Sequence, residues 1–127
     1  MSRVLFDASA ILAVLRGEPG RETVAGHASA WAISAVNAAE VAAKLVDGGM
    51  PDHEVRTTFD NLALEIIPFD AETALVSGLM RAATRHKGLS LGDRACLAQG
   101  RISGEPVLTT DKAWDSLDLG VEIRVVR

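Results

Sequence analysis

Four carboxylates, Asp7, Glu40, Asp93 and Asp111, stand at or just beyond the points where one predicted element gives way to the next. Asp7 closes the apolar run Val4-Leu5-Phe6, and Asp111 follows Val107-Leu108-Thr109. Asp93 falls in the first turn of a helical pattern opened by Ser90, and Glu40 in the second turn of one opened by Ser34. Acids gathered in one place repel, and at least one pKa is driven up; a divalent cation removes that cost. No Cys/His cluster accompanies them, so the donors would be oxygens, which suit Mg²⁺ or Mn²⁺ over Zn²⁺. An ion held this way can generate hydroxide from water and stabilise in-line attack on phosphorus. Such chemistry needs no nucleophilic side chain, and none is obvious.

Each acid also has a plain structural explanation. Asp7 and Asp111 can cap the helices that follow them. Ser90 and Asp93 have the spacing of a capping box, with Asp in place of the usual Glu or Gln. Glu40 shares a helical face with Asn37, Lys44 and Asp47 and can pair with Lys44 at i, i+4. The coincidence of place weighs against four separate explanations, because all four acids are expected on one rim.

That rim follows from the order of elements. Strands are predicted at Val4-Leu5-Phe6, Trp31 to Ser34, Leu64 to Pro68, Val107-Leu108-Thr109 and Val121 to Val126. Helices are predicted from Ala8 to Arg16, with Gly17 as stop, then from Pro19, from Ser34 to about Val46, and from Pro51 to about Leu62. Asp70 caps a long fifth helix whose Ala71, Ala74, Leu75, Gly78, Leu79, Ala82 and Ala83 form an unbroken stripe. Small residues on that stripe permit close approach to another element. Ser90 opens a sixth helix with Leu91, Ala95, Ala98 and Ile102 on one side. The alternation implies an α/β fold, one domain over residues 1–127, with a mainly parallel sheet of four to five strands and helices on both faces. In open parallel sheets ligands collect at the carboxyl ends of the strands.

Composition sets the bounds. A chain of 127 residues with 48 % apolar side chains is long enough for one core. Tyrosine is absent, so Ala, Val, Leu and Ile must build that core. Met1 to Asp7 reads as neither leader nor membrane span, and Asn37, Glu40 and Lys44 interrupt the Ala-rich stretch Ala28 to Val46. Cys96 is a lone cysteine in an apolar helical pattern, which points to a reducing cytosol and a small core residue. The net charge of −4 argues against nucleic-acid binding unless several acids surround bound cations. It leaves room for a basic partner.

Four segments in order resemble the motifs of the PIN-domain family. Val4-Leu5-Phe6-Asp7-Ala8-Ser9-Ala10 looks like its opening motif, and Ser34-Ala35-Val36-Asn37-Ala38-Ala39-Glu40-Val41 like its second. Leu89-Ser90-Leu91-Gly92-Asp93-Arg94-Ala95-Cys96-Leu97-Ala98 resembles the third closely. Leu108-Thr109-Thr110-Asp111 looks like the fourth, with Asp115 a helical turn further on. The likeness spans essentially the whole chain. It implies a metal-dependent ribonuclease in which Asp7, Glu40, Asp93 and Asp111 carry Mg²⁺ or Mn²⁺, directly or through water. Ser9, Thr109 and Asp115 would then be supporting or substrate-proximal groups. Asn37 stands where such proteins often have Ser or Thr, which puts the local hydrogen bonding in question. The short, undecorated chain is similar to VapC-like toxins of type II toxin–antitoxin pairs. That likeness implies an RNA substrate, a small antitoxin covering the acidic pocket, a homodimer and a cytoplasmic location.

Arg94 and Lys112 flank candidate ligands and could hold a phosphate, with ordinary surface charge an equal alternative. Arg81, Arg85, His86 and Lys87 suit the end of the fifth helix through its dipole. His27, His53 and His86 read as surface residues, Trp31 and Trp114 as packing residues. Two rivals with Mg²⁺ or acids at the same edge fit poorly. A phosphoacceptor receiver needs paired acids after strand one, and a haloacid-dehalogenase-type phosphatase needs Asp-x-Asp where this chain has Asp7-Ala8-Ser9. A non-catalytic interaction module of the same fold stays open.

Overall fold

The computed structural model describes residues 3–126; Met1, Ser2 and Arg127, the first two part of the run read as neither leader nor span, lie outside the described residues. The chain runs β1 (Val4–Phe6), α1 (Ala8–Arg16), α2 (Arg21–Ala25), β2 (Trp31–Ser34), α3 (Ala35–Asp47), α4 (Asp52–Leu62) and β3 (Glu65–Ile67). It continues through α5 (Ala71–Leu79), α6 (Arg81–Thr84), a 3₁₀ turn at Arg85–Lys87, and α7 (Leu91–Ser103). It then forms β4 (Val107–Thr109), a 3₁₀ turn at Lys112–Ser116, and β5 (Ile123–Val125). The five strands form one sheet in the order β3-β2-β1-β4-β5, parallel throughout.

Alternation along the central strands divides the core in two. Val4, Phe6, Ile33 and Leu108 point to one face, with Ile11 and Ala38 from α1 and α3. Leu5, Ala32 and Val107 point to the other, with Cys96, Leu97, Met80 and Trp114. Both faces are covered, as a parallel sheet requires. The chain leaves β1 in one direction along the sheet and reaches β5 in the other, so the topological switch lies between β1 and β4. Crevices at such a point receive ligands, and Asp7 stands at this one, directly after β1. At the far edge Arg3 closes the sheet with a bidentate pair to Glu105, both bonds 2.9 Å.

Several expectations are corrected. Pro19 sits in a turn, and α2 starts at Arg21. The third and fifth strands are shorter than the apolar runs that suggested them. The long fifth helix is broken into α5, α6 and a 3₁₀ turn, and its small-residue stripe faces solvent, with Leu75 65 % and Leu79 76 % exposed. The buried side carries Thr73, Ser77, Met80 and Thr84 instead. Their hydroxyls make this possible by bonding locally: Ser77 donates to the Ala74 carbonyl (2.9 Å) and Thr84 to that of Met80 (2.8 Å), while Thr73 donates to Asp70 (2.7 Å). A hydroxyl satisfied within its own turn packs like a methyl group, and close packing of α5 on α7 follows. In α7, Leu91 and Ile102 at the ends of the expected stripe are exposed, whereas residues 95–100 are buried all round.

Among the described residues, one non-glycine residue has a left-handed, strained backbone. Ala63, which ends α4, adopts the left-handed conformation with φ 51°, its N–H bonded back to Phe59 and Asp60. A Cβ there costs about 1–2 kcal/mol, partly offset by the roughly 0.5–1 kcal/mol entropic advantage of Ala over Gly in folding. Ala63→Gly is therefore expected to stabilise by about 0.5–1 kcal/mol in urea denaturation; a loss would mean that the methyl group is needed for packing.

Candidate functional site

The site is built around Asp7. The carboxylate is nearly buried and caps α1 by accepting from the Ala10 N–H (2.9 Å). The Ser9 hydroxyl donates to it across both oxygens (2.8 and 2.9 Å), and Thr109, at the end of β4, donates to Oδ2 (2.6 Å). Each of these hydroxyl oxygens accepts in turn from the loop after β4: Thr110 N–H reaches Ser9 (3.2 Å) and Asp111 N–H reaches Thr109 (3.0 Å). With those lone pairs occupied, both protons turn toward Asp7. Even so, desolvation raises the Asp7 carboxyl to about 6, against the lowering effect of the three donors; the nearby charge of Asp93 adds to the rise. Repulsion was the expected cause of such a shift, and burial outweighs it.

Glu40 is half-buried on α3, which Ser34 caps through Val36 N–H (3.2 Å). The expected ion pair with Lys44 is not present among the described residues. Asn37, buried, donates instead, through one amide nitrogen, to Glu40 Oε1 (2.9 Å) and to the Gly92 carbonyl of α7 (3.0 Å). Asn37 thus bridges two helices and holds a carboxylate. Asp93 forms a complete capping box with Ser90, each accepting from the other's backbone N–H (3.0 and 3.2 Å).

The buried thiol of Cys96 feels the charge of all three acids. Burial pushes its pKa well up, and the charges of Asp7, Asp93 and Glu40 all push the same way. The charges of three carboxylates from three elements thus act on one buried thiol, which stays protonated, in keeping with a core role. None of the three is paired with a cation among the described residues. Their present side-chain positions do not bring three ligating groups close enough to share one ion, among the described residues. Asp111 stands apart at the exposed rim, where its Oδ1 accepts from Ala113 N–H (3.0 Å) and caps the 3₁₀ turn; its link to the site is the backbone bond to Thr109. Asp115 and Lys112 are exposed on that turn.

Arg94 is half-buried and donates through one guanidinium nitrogen to the Ser77 carbonyl (3.1 Å), tying α7 to α5. His27 is half-buried with its ring edge-on to Phe6, 6.2 Å between centroids, and is not a surface residue; His53 and His86 are exposed. Arg81, Arg85 and Lys87 are exposed too. Trp31 and Trp114 pack as expected, Trp31 edge-on to Phe6 with its N–H donated to Leu62 (3.0 Å). A groove of about 640 Å³ between α3 and α4, lined by Ala38, Ala42, Val55 and Phe59, contains none of the four acids. Gly92 escaped the reading of the sequence. The available signal was a glycine inside a helix, next to a candidate ligand.

A five-stranded parallel sheet covered by helices on both faces, with Asp7 directly after its central strand, defines the class: an α/β protein. The PIN domain family model matches residues 4–119, and the chain belongs to that family, whose members are generally nucleases. The fold is similar to that of a chain in the DNA-bound VapBC structure from Salmonella typhimurium, with TM-score 0.78, 19 % identity and 98 % of each chain covered. It is similar also to one in VapBC2 from Rickettsia felis bound to a promoter DNA fragment (0.77, 16 %, 98 % of each). VapBC-5 from Mycobacterium tuberculosis gives 0.62 at 18 % identity, covering 100 % of this chain and 99 % of the other. No match was found among curated proteins. No helix among the described residues is long and apolar enough to cross a membrane.

Proposed function

We propose that the chain is a metal-dependent endoribonuclease and the toxin of a type II toxin–antitoxin pair, acting in the cytoplasm. The observation that supports this reading is that Asn37 ties Glu40 to Gly92, the neighbour of Asp93, and that neither these two acids nor the buried Asp7 has a compensating cation among the described residues. Three hard oxygen donors with uncompensated charge fit Mg²⁺ or Mn²⁺. Such an ion, when bound, supplies a water acidic enough to attack phosphorus and charge to stabilise the displaced oxygen.

The chain's own residues prepare the site. Ser9 and Thr109 fix the Asp7 carboxylate, and Asn37 fixes Glu40. Asp93 sits in the first turn of α7, where the helix dipole favours its negative charge. Asp111 serves through water at the rim, and Asp115 beside it is near enough in sequence to meet substrate. Arg94 supports by holding α7 against α5. The small antitoxin is supported by the fold's likeness to chains from toxin–antitoxin complexes; the homodimer is part of the proposal, with the exposed stripe of α5 as one candidate surface.

A non-catalytic module of the same fold is the second reading, favoured by the lack of a ready-made trio of ligands. Incubation of the protein with a structured RNA and Mn²⁺ separates the two. Cleavage is expected, and is expected to disappear with chelator and in Asp93→Asn. The asparagine retains an acceptor for the Ser90 N–H, so its loss of activity would report charge, not capping. Undiminished, chelator-resistant cleavage by Asp93→Asn would overturn the assignment.

A further inference from the structure

Gly92 is the second residue of α7, buried and helical, and helix interiors disfavour glycine relative to alanine. A Cβ built on it would overlap the carboxylate carbon and both oxygens of Glu40, and these are the three nearest atoms it would meet. The same carboxylate is held by Asn37, whose amide nitrogen bonds it and the Gly92 carbonyl together. We infer that Gly92 is a positioning residue, its missing side chain being the space in which Asn37 clips the Glu40 carboxylate against α7. The inference rests on the reading of Glu40 as part of a metal centre.

Gly100, on the same helix, shows the contrast. A Cβ there meets Val107 Cγ2 at 2.8 Å, Val121 Cγ1 at 3.0 Å and the Glu105 carbonyl at 3.2 Å, all parts of the packed sheet and its connections. That glycine serves the fold, and Gly100→Ala should lower the melting temperature. At Gly92 the obstacle is the free end of a flexible side chain, which can swing away. Gly92→Ala should therefore fold as well as the parent and lose only the placement of the carboxylate.

The test compares the parent with Gly92→Ala, Glu40→Ala, the double variant and Gly100→Ala. Melting is followed in chelator, and Mn²⁺ binding by calorimetry. Gly92→Ala is expected to melt no lower than the parent and to bind Mn²⁺ about tenfold or more weakly, the usual effect of losing a group that orients a ligand. In the Glu40→Ala background the same change should weaken Mn²⁺ no further and should raise the melting temperature by more than it does in the parent. Parent-like Mn²⁺ affinity in Gly92→Ala, or additive losses in the double variant, would overturn the inference while leaving the metal site in place. A parent that binds no Mn²⁺ would overturn the metal reading itself, and Gly92's part in it.

Discussion

Asp7→Asn is expected to lower RNA cleavage on the order of 10³-fold, the loss of several kcal/mol of charge stabilisation at 1.36 kcal/mol per tenfold, and yet to make the metal-free protein more stable at neutral pH. Removing a ligand to the ion explains the first effect. The second follows from burial. Desolvation raises the Asp7 carboxyl from 3.8 to about 6, so holding it ionised at neutral pH costs about 3 kcal/mol at 1.36 kcal/mol per pK unit. Asparagine carries no such cost. Its Oδ1 can still accept from Ala10 N–H, and one hydroxyl of the Ser9–Thr109 pair must turn round to meet an amide proton. Losing roughly 1 kcal/mol for one disturbed hydrogen bond leaves a net gain of about 1–2 kcal/mol. Cleavage assays and melts in chelator report the two halves separately. An active variant, or an inactive one that melts well below the parent, would contradict the account.

The same carboxyl makes stability depend on pH in an unusual direction. Its folded-state pKa lies above the unfolded value, so the native protein binds the proton more tightly. Between about pH 4 and 6 the unfolded chain gives up this proton while the native one keeps it, and stability falls as pH rises, following the linkage relation. The fall totals about 3 kcal/mol and is complete above pH 6. Asp70 and Glu105, whose pKa values are lowered by Thr73 and Arg3, work the other way at lower pH. They are unchanged in Asp7→Asn, so the difference between parent and variant isolates Asp7. Urea denaturation in chelator should show the variant's advantage growing from pH 4 to pH 7. Excess Mn²⁺ should reverse it by stabilising only the parent. A difference independent of pH would mean that Asp7 titrates normally.

The sheet was legible because short apolar runs and helical patterns alternate along the chain, and because strands such as Val4-Leu5-Phe6, apolar on both sides, belong in a sheet covered on both faces. The outward face of α5 was not legible, since Thr73, Ser77 and Thr84 count as polar by type yet satisfy their hydroxyls within the helix. Asp7, Glu40 and Asp93 could be placed together because strand ends and helix starts share an edge. Asp111 follows β4 as the same rule expects, and its exposed carboxylate caps the 3₁₀ turn there, a local use the strand pattern does not reveal. Pair-specific bonds lay beyond the sequence altogether. Nothing in the spacing of Asn37 and Glu40 says that their shared partner is the backbone of Gly92, a residue brought near only by the packing of α3 on α7.

Crystals soaked in Mn²⁺ and measured at the manganese absorption edge give the most direct view of the acidic site. An anomalous peak between Asp7 and Asp93, with at least one of their oxygens within about 2.2 Å and Glu40 in contact directly or through one water, is the expected result. No peak there at saturating Mn²⁺, or a peak only at acids elsewhere on the surface, would contradict it.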